Sequence, residues 1–126
     1  MIEVEHLYKS FKKFDAVTDV SFVAQAGQVL GLLGANGAGK STTMRIISAT
    51  MKPSSGSVRV GGFDVAREPQ LVRTVLGVMP EQWGLYGHLS PRDHLIFFGE
   101  LFKIEKPTLK SKIDELISIL QMLRVM

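Results

Sequence analysis

Nine consecutive residues carry the clearest chemistry in this sequence: Gly34, Ala35, Asn36, Gly37, Ala38, Gly39, Lys40, Ser41 and Thr42. They read as glycine, four residues, Gly-Lys, then a hydroxyl residue. Glycines at 34, 37 and 39 leave the backbone free to take positive φ and to come close to an anion. Successive N–H groups can then converge into a concave nest for phosphate oxygens. A helix opening near Lys40 aims the positive end of its dipole at the same place. The Lys40 ammonium adds a full charge for the β- and γ-phosphates, the Ser41 hydroxyl suits a magnesium ion, and Thr42 offers one more hydrogen bond. The chemistry is the binding of a nucleoside triphosphate's tail. By composition alone, the fixed positions coincide in about 0.4% of chains of this length. The rival dinucleotide pattern, Gly-x-Gly-x-x-Gly, is absent.

The flanking residues predict what positions this loop. Residues 29–33 form an apolar run that reads as a buried strand. Residues 41–49 read as a helix that Pro53 cannot continue. Upstream, residues 2–7 alternate as a half-buried strand, residues 8–14 read as a basic, aromatic loop, and residues 16–24 read as a second strand with Val20, Phe22 and Ala24 inward. Downstream, Gly61-Gly62 between two β-rich runs signals a hairpin. One or two helical turns are expected from Pro69, and residues 75–79 read as another buried strand. Residues 80–89 form a loop containing Glu81, Gln82, Trp83, Tyr86 and His88. Ser90, Pro91 and Asp93 open a helix as N-cap, first residue and capping-box partner. Its apolar residues include Leu95, Phe98, Leu101 and Phe102. Pro107-Thr108 caps a last helix whose apolar face is Leu109, Ile113, Leu116, Leu120 and Leu123, still running at Met126.

Composition narrows the class. The 126 residues suit one domain with a modest core, 45% apolar content marks a globular chain, and the formal charge of +3 is spread without a basic run. Nucleic-acid binding is therefore not indicated. The absence of cysteine excludes disulfides and thiol chemistry. The acidic N-terminus is unlike a signal peptide, and no apolar run approaches the ~18 residues of a membrane span. His6, His88 and His94 read as surface or loop residues, since no metal-ligand spacing links them.

Several features then line up in order: Lys9-Ser10-Phe11, residues 16–22, Gly27-Gln28, the 34–42 loop, the turn at residues 53–56, and Leu76-Gly77-Val78-Met79-Pro80-Glu81-Gln82. Their order and spacing resemble the N-terminal half of an ABC transporter ATPase domain. The 79–81 segment with Leu85-Tyr86 is most similar to bacterial exporter ATPases of the drug or sodium kind. The resemblance implies an α/β fold: a partial P-loop NTPase (RecA-like) core with an antiparallel β arm, then the start of an α-helical subdomain. Residues 1–89 would be the core with its arm and residues 90–126 the beginning of the helical part, so that the chain is expected to be an N-terminal piece.

The resemblance also assigns roles. Phe11 matches an aromatic residue that stacks on adenine, although a strand-end hydrophobe would look the same. Val17 matches an apolar residue beside the base and equally suits plain core. The family places a glutamine at the start of the loop after the 76–79 strand, touching magnesium and the attacking water. Here that position is Glu81, with Gln82 one residue later: Glu81 could serve as ligand, a one-residue loop shift could present Gln82, or both could be solvated loop residues. Trp83, Leu85 and Tyr86 suit docking of a membrane subunit's helix or a lid over the chain's own core. The implied cofactors are ATP and magnesium. The implied partners are a transmembrane permease subunit and a second ATP-binding subunit in a dimer, at the cytoplasmic face of the membrane as a peripheral protein. Neither an apolar run ending in Asp-Glu nor a Leu-Ser-Gly-Gly-Gln signature occurs. Asp114-Glu115 follows a single apolar residue on an otherwise regular helix. The chain alone is thus expected to hydrolyse little ATP. Competing readings are a soluble ABC-type ATPase of translation or DNA repair, a P-loop kinase or GTPase (the latter lacking Asn-Lys-x-Asp), and a non-hydrolysing nucleotide-binding fragment.

Overall fold

The computed structural model describes residues 1–82 and 84–120. The chain forms two compact units, Met1–Met79 and Pro80–Met126. In the first, β1 (Ile2–Phe11) and β2 (Phe14–Ala24) form a long antiparallel hairpin, followed by α1 (Lys40–Ile47), β3 (Ser55–Val60), β4 (Phe63–Asp64) and α2 (Pro69–Val75). The sheet order is β2-β1-β3-β4, antiparallel throughout. The second unit holds α3 (Pro91–Leu101) and α4 (Lys106–Ile119).

The expected basic loop at 8–14 is instead a continuation of both strands, turning only at Lys12 and Lys13. Strict alternation would bury Val4 and His6, yet Val4 and Leu7 are buried. A bulge resolves this. His6 sits at φ 45, adding one residue before Leu7, and Asp19 opposite sits at φ 52. The His6 N–H donates to Ser21 Oγ at 2.8 Å. A side chain at Gly56 would meet the His6 carbonyl oxygen at 2.1 Å, so glycine is required where β3 crosses the bulge.

The core of this unit is Val4, Leu7, Val17, Ile46, Ile47, Val58, Val60, Val65 and Val72, with Val20 and Phe22 packed at its margin. Helix α1 buries Thr43, Ile46 and Ile47. Burying each isoleucine contributes about 1.5–3 kcal/mol. The helix ends where Ala49 turns left-handed at φ 55, and the Arg45 carbonyl accepts from the Thr50 and Met51 N–H groups. Arg73 Nη2 of α2 donates to the Ala49 carbonyl at 2.8 Å, fixing that end. The Gly61-Gly62 hairpin has φ 58 and 88, the signs of a type I′ turn.

Two expectations fail. Residues 29–33 and 75–79 are not strands, and Val75 instead closes α2. Val29 is 98% exposed, Leu33 93% and Met79 94%. A strand exists only through ladder hydrogen bonds to a neighbour, and none of the described strands pairs with either run. Leu76 alone packs on the core.

In the second unit, Ser90 and Asp93 form the expected capping box, with Pro91 at the helix start. A Cβ at Gly99 would lie 2.1 Å from Leu109 Cδ1, so α3 and α4 approach most closely there. Glu105 rather than Thr108 caps α4, and Pro107 occupies its first turn, where a missing N–H costs nothing. The buried row of α4 is Leu109, Ile113 and Ile117, while Leu116 and Leu120 are exposed. The buried residues follow an i, i+4 row, and Leu116, three residues on from Ile113, turns away from it. On α3, Leu95 packs against this row, whereas Phe98, Leu101 and Phe102 are exposed. Leu123 lies outside the described residues.

Candidate functional site

The 34–42 loop joins an extended segment to α1. Gly37 and Gly39 both adopt left-handed backbone, φ 85 and 87. Gly39 is the N-cap of α1, and no side chain caps it. The leading N–H groups of α1 are thus left without intrahelical acceptors, a concentration of partial positive charge. The Ala38 N–H closes a turn on the Ala35 carbonyl at 3.1 Å, and the Thr43 N–H starts the helix ladder on the Gly39 carbonyl at 2.9 Å.

The two left-handed glycines differ in surroundings. A Cβ at Gly39 would fall 2.2 Å from the Ala16 carbonyl oxygen and 3.2 Å from Val17 Cγ2. The loop therefore rests directly on β2. A Cβ at Gly37 would meet nothing within 4 Å, so the space beside it is open. Lys40 reaches back over the curl, its Nζ donating to the Gly34 and Ala35 carbonyls, the latter at 2.8 Å. Its ammonium is thus positioned at the loop rather than dispersed in solvent. Ser41 is exposed at the head of the helix, Thr42 is half-buried and Thr43 is anchored in the core.

Of the other expected site residues, the structure brings Val17 to the loop and places Phe11 on the same hairpin. Val17 is 3% exposed. The register pairs Lys9 with Val17 and Phe11 with Phe14. The aromatic end of the hairpin therefore lies three residues from Val17 along β2, about 10 Å. The Phe11 ring is part-exposed, with the Phe14 ring 5.4 Å away at 30° and Lys9 Nζ 5.2 Å from its centroid. Lys9 Nζ also donates to the Lys52 carbonyl at 2.9 Å. The sequence reading gives no site role to Lys9, Phe14 or the Ala16 carbonyl. The signal for Phe14 was its mirror position to Phe11 about the Lys12-Lys13 turn.

Glu81 and Gln82 belong to the second unit, where both are exposed. Trp83 lies outside the described residues. Leu85 and Tyr86 are exposed. Among the described residues, no group of three or more His, Cys, Asp or Glu gathers as a metal cage. Magnesium held by one or two protein oxygens and by substrate phosphates needs none.

Two histidines behave as read: His6 is exposed, its Nδ1 2.8 Å from Asp19 Oδ1, and His88 lies in the exposed loop. His94 does not. It is 8% exposed, because the loop folds back so that the Tyr86 N–H donates to its Nε2 at 2.8 Å. Asp114 takes Arg92 as an ion-pair partner at 2.8 Å. Hydrogen bonds from the Ser90 hydroxyl and N–H hold the Asp93 carboxyl below its ordinary value of 3.8.

A family model described as "ABC transporter" matches residues 17–125. The chain is 38% identical over 106 residues to the ABC transporter ATP-binding protein NatA of Bacillus subtilis, covering 83% of this chain and 43% of that protein. It is 39% identical over 105 residues to the doxorubicin resistance ATP-binding protein DrrA of Mycobacterium tuberculosis, covering 83% of this chain and 32% of that protein. A solved ATP-binding subunit of an ABC transporter superposes with a TM-score of 0.72 at 31% identity, covering 84% of this chain and 44% of the other. The chain thus spans less than half the length of these relatives.

Proposed function

We infer that this chain, which belongs to the ABC transporter family, holds the triphosphate of ATP on residues 34–42 and serves in the ATPase subunit of a transporter. The observation that carries this reading is the curl itself. Gly37 and Gly39 are left-handed, an uncapped helix start points into the loop, and Lys40 lies across it. Each supplies a donor or a positive charge where phosphate oxygens would lie.

Within the reading, backbone N–H groups of the curl and the Lys40 ammonium bind and orient the phosphates. Thr42 adds a hydrogen bond. Phe11 offers a ring face to the base, and Val17 borders it while supporting the loop from below. Ser41 would hold magnesium, which would supply charge neutralisation on the phosphate oxygens, and Glu81 or Gln82 keeps the ligand role that the family resemblance implies. Lys40 stabilises charge that develops on the γ-phosphate in hydrolysis, and Glu81 or Gln82 orients the attacking water. Drug-resistance relatives such as DrrA favour an exporter. The partners are then a membrane-spanning permease and a second ATP-binding subunit, and the location is the cytoplasmic membrane face. No described helix is long and apolar enough to cross a membrane.

The test is calorimetric titration of the chain with magnesium-ATP. Saturable binding is expected, weakened at least tenfold by Lys40→Ala with the melting temperature unchanged. A folded chain that takes up no nucleotide at millimolar concentration would overturn the reading.

A further inference from the structure

The nucleotide reading leaves His94 unused, although it is buried and its contacts are specific. It stands one turn into α3, and its ring stacks on Tyr86 with centroids 5.7 Å apart and planes at 20°. Tyr86 in turn meets the Phe97 edge at 6.0 Å. The Tyr86 N–H donates to Nε2 at 2.8 Å, and Nδ1 lies 3.3 Å from the Ser90 carbonyl oxygen. The two contacts demand one tautomer. Nε2 must be bare to accept from an N–H, so Nδ1 carries the hydrogen and donates to the Ser90 carbonyl.

We propose that neutral His94 is a positioning residue that latches residues 84–89 onto α3, and that protonating it releases them. A second proton would set Nε2–H against the Tyr86 N–H, leaving two donors facing each other in a part-buried contact with no acceptor between them. Among side-chain types, imidazole is the one that gains a proton in mildly acidic water, and here the gain would cost it its role as acceptor. Around it stand Asp93 on the same helix, Tyr86 and His88 from the loop, and the Arg92–Asp114 pair that joins α3 to α4. Asp93 is engaged by the Ser90 hydroxyl and N–H, and Asp114 by Arg92. Neither carboxylate has a contact with Nε2 that could substitute for the Tyr86 bond. The segment so held follows directly on Glu81 and Gln82, so the latch sets where that loop must return to the helix. None of this depends on the nucleotide reading, and failure of either leaves the other standing.

Amide hydrogen exchange in the full chain tests it at single-residue level. The Tyr86 amide should be protected at pH 8. At pH 5, after correction for intrinsic exchange, it should lose about tenfold or more of its protection, while Ile113 and Ile117 of α4 stay protected. His94→Gln, whose amide oxygen can accept without titrating, should flatten the pH response. His94→Phe, which keeps the ring but no acceptor, should expose Tyr86 at both pH values. Equal Tyr86 protection at pH 8 and 5 in the unsubstituted chain overturns the proposal. So does a His94→Gln chain that keeps the full pH response, or loss of α4 protection in step with Tyr86, because the response would then belong to the helix pair.

Discussion

Replacing Gly39 by alanine tests the link between the loop and the sheet. Two costs follow from its position. At φ 87 an L-residue sits in left-handed backbone, which costs about 1–2 kcal/mol. The added Cβ would also lie 2.2 Å from the Ala16 carbonyl oxygen, about 1 Å inside ordinary contact, and overpacking of this kind costs about 1–3 kcal/mol. The obstacle is backbone of β2, so no rotamer change relieves it, and either the loop or the strand must move. Taking a total of about 3 kcal/mol, the melting temperature of a unit of this size should fall by about 12–24 °C. Gly37→Ala is the control. It carries the same φ strain, but its Cβ meets nothing within 4 Å, so its loss should stay near 1–2 kcal/mol. Differential scanning calorimetry of the two variants with magnesium-ATP titrations reads both quantities. Gly39→Ala should lose stability and nucleotide affinity together. Gly37→Ala should lose affinity with about a third to two-thirds of that thermal shift. Equal melting temperatures for the two variants would refute the claim that the loop is braced on β2.

Other expectations are simpler to measure. Ile46 is fully buried beneath α1, so Ile46→Ala should destabilise the first unit by about 2–5 kcal/mol in urea unfolding. The Asp93 carboxyl is held below its ordinary value of 3.8 by Ser90. A depressed folded-state pKa contributes stability that is complete above the unfolded value and is lost as pH falls below it. Helicity of α3 should therefore be insensitive to pH down to about 4 and fall below that, and the fall should vanish in Asp93→Asn. The Arg92–Asp114 pair is half-exposed, so a double-mutant cycle should give about 1 kcal/mol or less, shrinking in salt.

Much of the candidate site was legible because its determinants are local. The curl of residues 34–42 follows from where glycine permits positive φ, and the start of α1 follows from the residues just after it. The α3 capping box and the Gly61-Gly62 turn are local in the same sense, each satisfied within four residues. These features need no distant partner, so sequence spacing sufficed.

Everything that depended on a partner elsewhere was settled by tertiary structure. Residues 29–33 and 76–79 have the composition of buried strands, yet composition cannot provide the neighbouring backbone that a ladder requires, and both runs stand exposed. The bulge at His6 reversed the inward parity of β1 because Gly56 let β3 pass the shifted carbonyl. Pattern alone put His94 at the surface, and a loop returning through Tyr86 buried it. The sequence by itself determined the glycine curl of residues 34–42 and the starts of α1 and α3, since backbone sterics and capping act over a few residues. Only the tertiary structure decided which apolar runs found partners, which face of β1 and α4 turned inward, and which histidine lost its water, because each is a contact beyond the few residues over which backbone sterics and capping act.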